Sequence, residues 1–142
     1  MHTILDYDKP ELIQNRQLAD TGARFLNFVL DSIVALIVAS VFLVGTMIVL
    51  NIENIEIFEI MLFFGGYFAY YIGMEAYFSG KTIAKMLTRT SVVQTDGKPI
   101  SFVQAFERTF IRLIPLDPFS IFFSDNKVCW HDTHSGTLVV QD

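Results

Sequence analysis

The chain has 142 residues, 52% of them hydrophobic and 18% charged, with a mean hydropathy of +0.45 and a net charge of −5 at pH 7. With 8 Gly, 4 Pro, 1 Cys and 14 Phe it is neither disordered, nor collagen-like, nor a disulfide scaffold, and its acidity argues against a nucleic-acid partner, whose phosphates it would repel. The length suits one domain and the apolar excess comes in blocks, so the first expectation is a membrane protein.

Residues 1–18 read as a polar segment, and the stretch through Arg24 has neither the positive start nor the apolar centre of a cleavable secretory signal. The first apolar block runs from Phe25 to Leu50, and its stretch from Ser32 to Ile52 is free of charge. Roughly 20 apolar residues at about 1.5 Å each cross a hydrocarbon core of about 30 Å, so a transmembrane helix is predicted over 25–50. A second block, Ile60 to Phe78, is broken only by Glu75 and predicts a second span. Gly65, Ala69 and Gly73 fall at i, i+4 and i+8, a small-residue stripe that lets another backbone approach closely. A matching stripe at Ser32, Ala35 and Ala39 points to a tight antiparallel hairpin; contact with a second copy is the other use of the glycine stripe.

The connection Asn51 to Glu59 carries Glu53, Glu56 and Glu59 and no basic residue. Lys9, Arg16 and Arg24 precede the hairpin, and Lys81, Lys85, Arg89, Lys98, Arg108, Arg112 and Lys127 follow it. Positive charge collects on the cytoplasmic side, so both termini are expected there, with the acidic loop outside and Cys129 in a reducing compartment.

Beyond the second span, Ser79-Gly80 reads as a helix stop with Gly80 at C′. Lys81, Lys85 and Arg89 recur every four residues opposite Ile83, Met86 and Leu87, which predicts an amphipathic segment over 81–90 with its basic face toward anionic headgroups. Asp96-Gly97 between β-prone runs predicts a short β-hairpin, limited by Pro99. Ser101 and Gln104 have capping-box spacing and open a further apolar segment. Over 101–114, Phe102, Phe106, Phe110 and Leu113 share one face, and Gln104, Arg108 and Arg112 share the opposite one. The expected form is an interfacial helix with Arg108 and Arg112 toward the membrane surface; a re-entrant segment and a third span are the alternatives for 101–123. In the tail, Trp130 suits an interface anchor, His131 and His134 a polar loop, and Thr137 to Val140 a strand. The predicted fold class is an all-α membrane protein, with a two-helix transmembrane hairpin, interfacial amphipathic helices and a short cytoplasmic β-hairpin.

Taken together, these residues resemble the RDD family of small bacterial membrane proteins, named for one arginine and two aspartates. GARFLNFVLDSIV supplies Arg24 and Asp31, and WHDTHSGTLVV supplies Asp132 before its Gly-Thr-Val-type ending. Between them, GKTIAKMLTRTSVVQTDGKPISFVQAFERTFIRLIPLDPF matches the family's basic central stretch, Asp-Gly turn and Arg-containing third segment. The likeness covers about residues 19–140 and departs at Thr133-His134, where relatives commonly carry a basic residue. It implies an RDD-type membrane domain over 19–142, located in the bacterial inner membrane. It also implies transport of an unidentified ligand, as suggested for the family, with cation–proton exchange proposed for some members.

Arg24, Asn27 and Asp31 lie on nearly one helical face, and Asp31 sits about 9 Å inside the first helix. Glu75 reaches a similar depth from the second helix. A carboxylate at such depth must face protein or water. Asp31, Glu75 and Asp132 are therefore candidates for a cytoplasm-open cation or proton site, with Arg24, Asn27 and Asp117 completing the polar network. The competing expectation is an Arg24–Asp31 bridge, extended by Glu75 or Arg108, that only fixes the helices. Two spans are too few to enclose a pathway, so transport requires a homo-oligomer or a membrane-protein partner. An enzyme is not expected: His131, His134 and Asp132 lack a further metal-ligand cluster, Cys129 has no glycine-rich elbow, and no cofactor motif is present. The expected function is transport of an ion or small solute through a cytoplasm-facing charged site, and the alternative is a membrane scaffold or accessory subunit whose charged residues are structural.

Overall fold

In a computed structural model, the described residues are 17–51, 56–124 and 128–142. The expectations for Lys9, Arg16, Glu53, Lys127 and residues 1–16 lie outside them. Helix α1 spans Thr21–Leu50 and α2 spans Glu56–Tyr77. Both start four residues earlier than the apolar blocks. In α1 the Asp20 side chain caps the helix by accepting from the Gly22 N–H at 2.9 Å. In α2 the first turn holds Glu56 and Glu59, favourable at the positive end of the helix dipole. Both helices are long and apolar enough to cross a membrane. Only 11% and 17% of their most apolar windows is buried, which is unlike the core helices of a soluble protein.

The hairpin closes at glycine, one residue away from the expected stripe. A Cβ on Gly66 would lie 2.9 Å from the Ala39 Cα, whereas on Gly65 its nearest neighbour would be 3.9 Å away and on Gly73 nothing lies within 4 Å. Gly65 and Ala69 are exposed. The phase of the contact is set by Ala35, Ala39, Tyr70 and Tyr71, all buried between the helices.

Helix α2 ends in a left-handed turn at Ser79, with the Gly80 N–H bonded to the Glu75 carbonyl at 2.9 Å. The left-handed C′ residue is therefore Ser79, and Gly80 follows it, also at positive φ. Gly80 is required by space as well: a Cβ there would lie 2.1 Å from the Val92 carbonyl oxygen. The chain then forms α3 (Ile83–Leu87), β1 (Thr90–Gln94), α4 (Phe102–Ile111), a 3-10 turn (Asp117–Phe119), α5 (Ser120–Phe123), α6 (Trp130–Ser135) and β2 (Thr137–Gln141). The 101–123 stretch is thus broken up, and the ten residues of α4 extend only about 15 Å, too short to cross a bilayer. Its start carries the capping box of Ser101 and Gln104.

The β-pairing departs from the expected hairpin. Asp96-Gly97 does turn the chain, with Gly97 N–H to the Gln94 carbonyl at 2.9 Å, but the return is limited to a single bridge, Val93 with Pro99. Pro99 has no N–H with which to extend the ladder. The strand partner of β1 is instead β2, antiparallel, from Thr90 opposite Gln141 to Gln94 opposite Thr137. Leu18 bridges to Val140 on the other edge of β2. A small apolar cluster of Ala19, Val92, Ile100, Ala105 and Val139 fastens this sheet to α4, with Ile72 and Ala76 of α2 packed against it.

The layer beyond the hairpin is built inside out. Phe102, Phe106 and Phe110 of α4 and Ile83, Met86 and Leu87 around α3 are exposed, while the largest fully buried side chains are Arg108 and Glu75. Phe68 of α2 joins Phe106 and Phe110 at ring separations of 6.2 and 6.4 Å, so the outer apolar surface of the hairpin continues onto α4.

Candidate functional site

The buried charges gather where the ends of α1 and α2 meet α3, α4 and α6. Glu75, fully buried, is the centre. Its Oε1 accepts from Lys85 Nζ at 2.7 Å and Arg112 Nη2 at 2.8 Å, and its Oε2 accepts from Arg108 Nε at 3.0 Å. The spacing explains the convergence: Arg108 and Arg112 lie one helical turn apart on α4, and Lys85 is on the inner side of α3. Lys85, Arg108 and Arg112 were expected on a surface facing headgroups. All three instead point inward, onto Glu75, while the apolar residues on the other faces of α3 and α4 are exposed. Lys81 and Arg89 remain outside, Lys81 paired with Asp142 at 2.6 Å and Arg89 exposed.

Arg108 extends the cluster to the C-terminal strand. Its Nη1 donates to Asp132 Oδ1 and Thr137 Oγ1, while Arg24 Nη1 lies 3.6 Å from Asp132 Oδ2. Arg24 also donates from Nε to the Ala19 carbonyl and from Nη2 to the Val139 carbonyl, each at 3.0 Å, tying the start of α1 to β2. Asn27 continues the same face, donating to Thr90 Oγ1 at 2.9 Å and accepting from Thr88 Oγ1 at 2.6 Å.

Asp31 and Asp117 do a different job. Neither Thr82 nor Cys129 caps its own helix with a side chain. Asp31 accepts the Ala84 N–H at the start of α3 at 3.1 Å, together with Thr82 Oγ1 at 2.5 Å and Tyr70 Oη at 2.9 Å. Asp117 accepts the His131 N–H at the start of α6 at 2.9 Å and also bonds the His131 ring at Nδ1. Each carboxylate caps a short helix from a distant part of the chain, supplying the acceptor that a local Ser or Asp ordinarily provides.

Four cations, Arg24, Lys85, Arg108 and Arg112, thus face four carboxylates, Asp31, Glu75, Asp117 and Asp132, all but Arg112 buried to nine-tenths or more. Burial opposes the charge on Asp132, but the Arg108 guanidinium, helped by His131 and Arg24, holds its carboxyl down to about 2. Burial lowers Lys85 from its ordinary value, with Glu75 opposing. Burial also disfavours the Arg112 charge, but Glu75, together with Tyr71 and Asp31, offsets it and raises that group above its ordinary value. The Arg112 guanidinium further covers the Tyr71 ring at 4.7 Å from its centroid.

His131 is buried in α6, where a polar interface loop was expected; Asp117 and Ser120 hold that helix inward by accepting its first two N–H groups. Burial lowers the His131 pKa from its ordinary value, with Asp132 and Asp117 opposing. Cys129, His131 and Asp132 offer three ligand atoms within 4.8 Å of one another. They fit a cation poorly: Arg108 already occupies Asp132 with Arg24 beside it, and burial pushes the Cys129 thiol up to about 12, away from the thiolate a metal takes.

The helical face of Arg24, Asn27 and Asp31 was legible in the sequence, as was the depth of Glu75. Missed were the inward turn of Lys85, Arg108 and Arg112, the helix around His131, and the supporting hydroxyls of Tyr70, Thr82, Thr88 and Thr137. The available signal was the i, i+4 pair Arg108 and Arg112 opposite the Phe face, in a chain with two apolar blocks long enough to cross a membrane.

The RDD family profile matches residues 18–136, covering all three residues for which the resemblance was noted. No curated protein and no solved structure matches the chain. The family match and the two exposed apolar helices mark a membrane protein. The chain belongs to the RDD family.

Proposed function

We propose that the protein is a membrane scaffold or accessory subunit in which the buried charges fasten a lipid-facing layer onto a two-span hairpin. The observation that carries this reading is the occupancy of Glu75 by three cationic groups. A cation or proton carrier needs a carboxylate that exchanges its partner, and a carboxylate saturated by fixed cations has no such freedom. Asp31 and Asp117, spent on capping α3 and α6, support the same conclusion.

The sided distribution of Lys and Arg supports an inner-membrane, multi-pass placement with both termini cytoplasmic. The Phe face of α4 then lies in the inner interface, and Lys81 and Arg89 meet the anionic headgroups. The exposed Gly65 and Ala69 supply the surface for a second copy or a membrane-protein partner.

Transport of an ion or small solute by an oligomer is the second reading, favoured by a pocket among Arg24, Asp31 and Lys85. Reconstitution separates the two. With Asp31→Asn, the scaffold reading expects weaker assembly and no change in ion or proton flux across proteoliposomes. A flux carried by the wild type and abolished by Asp31→Asn, with assembly intact, would establish transport instead.

A further inference from the structure

Beside the fastening cluster lies a pocket whose wall carries more cations than carboxylates. It encloses about 50 Å³, room for a few water molecules or one small anionic group. Arg24, Lys85, Arg108 and Arg112 line it, against only Asp31 and Asp117. Glu75 and Asp132 are not on the wall, although they bind the arginines that are. Both wall carboxylates are engaged by hydrogen-bond donors, Asp31 by Tyr70, Thr82 and Ala84 and Asp117 by His131.

A second, independent observation points to a ligand. Arg108 Nη2, Arg112 Nη1 and Asp132 Oδ2 are buried without a hydrogen-bond partner among the described residues; the two donors belong to residues of the pocket wall, whereas Asp132 does not line it. An unmet N–H on a buried guanidinium is costly, and Arg108 and Arg112, one turn apart on α4 and both on the pocket wall, each carry a planar fork suited to oxygen acceptors. Phe25, Phe28 and Ile121 form an apolar wall beside these donors. Phe25 and Phe28 are partly exposed on the outer surface of α1, so an acyl chain could leave the pocket toward lipid.

We propose that this pocket binds a small oxyanion, a phosphoryl or carboxylate group, through the free guanidinium nitrogens of Arg108 and Arg112. The group comes either from an anionic lipid headgroup or from a soluble anion, and both present the same acceptor oxygens. It completes the hydrogen bonding of the arginines without displacing Glu75, so the ligand adds to the fastening cluster. This site goes beyond the scaffold role and does not depend on it.

The experiment uses the full chain in neutral detergent and in phosphatidylcholine nanodiscs. Inorganic phosphate and acetate are titrated against chloride at constant ionic strength, with the thermal midpoint and ³¹P line width as readouts. A second arm adds phosphatidylglycerol to the nanodiscs and weighs retained lipid by native mass spectrometry. Binding in the first arm identifies a soluble anion, and retention only in the second identifies a headgroup; both support the site. Arg112→Gln leaves Lys85 and Arg108 on Glu75 and should weaken binding about tenfold or more, a loss of about 1.4 kcal/mol. Arg112→Lys keeps the charge on Glu75 but removes the fork, so it should weaken binding even if the glutamine variant fails to fold. Lys98→Gln, on an exposed turn, should leave it unchanged. The proposal is overturned if no oxyanion or anionic lipid exceeds chloride, or if Lys98→Gln weakens binding as much as the Arg112 variants.

Discussion

The two ends of the hairpin are held by opposite chemistry. Toward the α1–α2 connection, α1 and α2 touch through Ala39 and Gly66, with no ion pair among the described residues there. Toward the chain termini, they are joined by Glu75, Asp31 and the cations and N–H groups of later elements. The first contact is tight because nothing projects between the backbones; the second is tight because the buried charges take one another as partners. On the proposed membrane placement, lipid accounts for both: it offers no hydrophobic force between two apolar helices, which leaves close packing, and no hydration to a charge, which leaves pairing.

The comparison breaks most sharply at Glu75. Glu75→Ala removes the shared partner of Lys85, Arg108 and Arg112, leaving Arg108 its bonds to Asp132 and Thr137, and should cost about 3–5 kcal/mol, the usual penalty for removing one partner of a buried ion pair. Unfolding in mixed micelles measures it, and a loss no larger than at an exposed site would show the cluster to be hydrated. Asp31→Asn keeps the shape but sets an NH₂ against the donors Tyr70, Thr82 and Ala84, with an expected cost of about 1–3 kcal/mol. Because Asp31 caps α3, protection of the Ala84 amide from hydrogen exchange should fall with it.

At the other end, neighbouring glycines provide the contrast. Gly66→Ala drives a Cβ into the Ala39 backbone and should destabilise the hairpin by about 1–3 kcal/mol. Gly65→Ala meets only the Phe42 ring at ordinary contact distance and should stay within about 0.5 kcal/mol. Equal effects would place the helix contact elsewhere.

The smallest effect is on acidity. His131 has a lowered pKa in the folded state, so the unfolded chain takes up the proton first. Stability should therefore begin to fall as pH drops below about 6.5, the ordinary histidine value, and level off beneath the lowered folded value. His131→Asn, which retains a donor for Asp117, should flatten that limb of the pH–stability curve. The Asp132 contribution is present above the ordinary carboxylate range and is lost only as pH falls toward about 2, so it does not obscure this window.

How far the sequence reaches follows the same division. The two long apolar helices were legible because an uncharged stretch such as 32–52 is long enough to cross a bilayer as a helix. The faces of α4 were legible from the spacing of its Phe residues, but periodicity does not say which face looks inward. In water the Phe face is buried; beside lipid it is exposed, and Arg108 and Arg112 become the core. The pairing of β1 with β2 joins Thr90–Gln94 to Thr137–Gln141 across an intervening helical segment, and such a register has no local signal. Asp96-Gly97 did mark a turn, and the partner strand was wrongly placed because turn chemistry fixes only the local reversal. The choice of Gly66 over Gly65 rests on the rotation of α2, which buried Tyr70 and Tyr71 set and the small-residue count did not.

The central claim, that the layer beyond the hairpin has charge inside and lipid outside, is most directly tested on α4. Spin labels at Phe106→Cys, Phe110→Cys and Glu107→Cys, in a Cys129→Ser background in nanodiscs, report their surroundings through relaxation by oxygen, which concentrates in lipid, and by a nickel chelate, which stays in water. The account predicts oxygen-dominated relaxation at positions 106 and 110, and stronger nickel relaxation at 107. Nickel access at 106 and 110 equal to that at 107 would place the Phe face in water and contradict the inside-out arrangement.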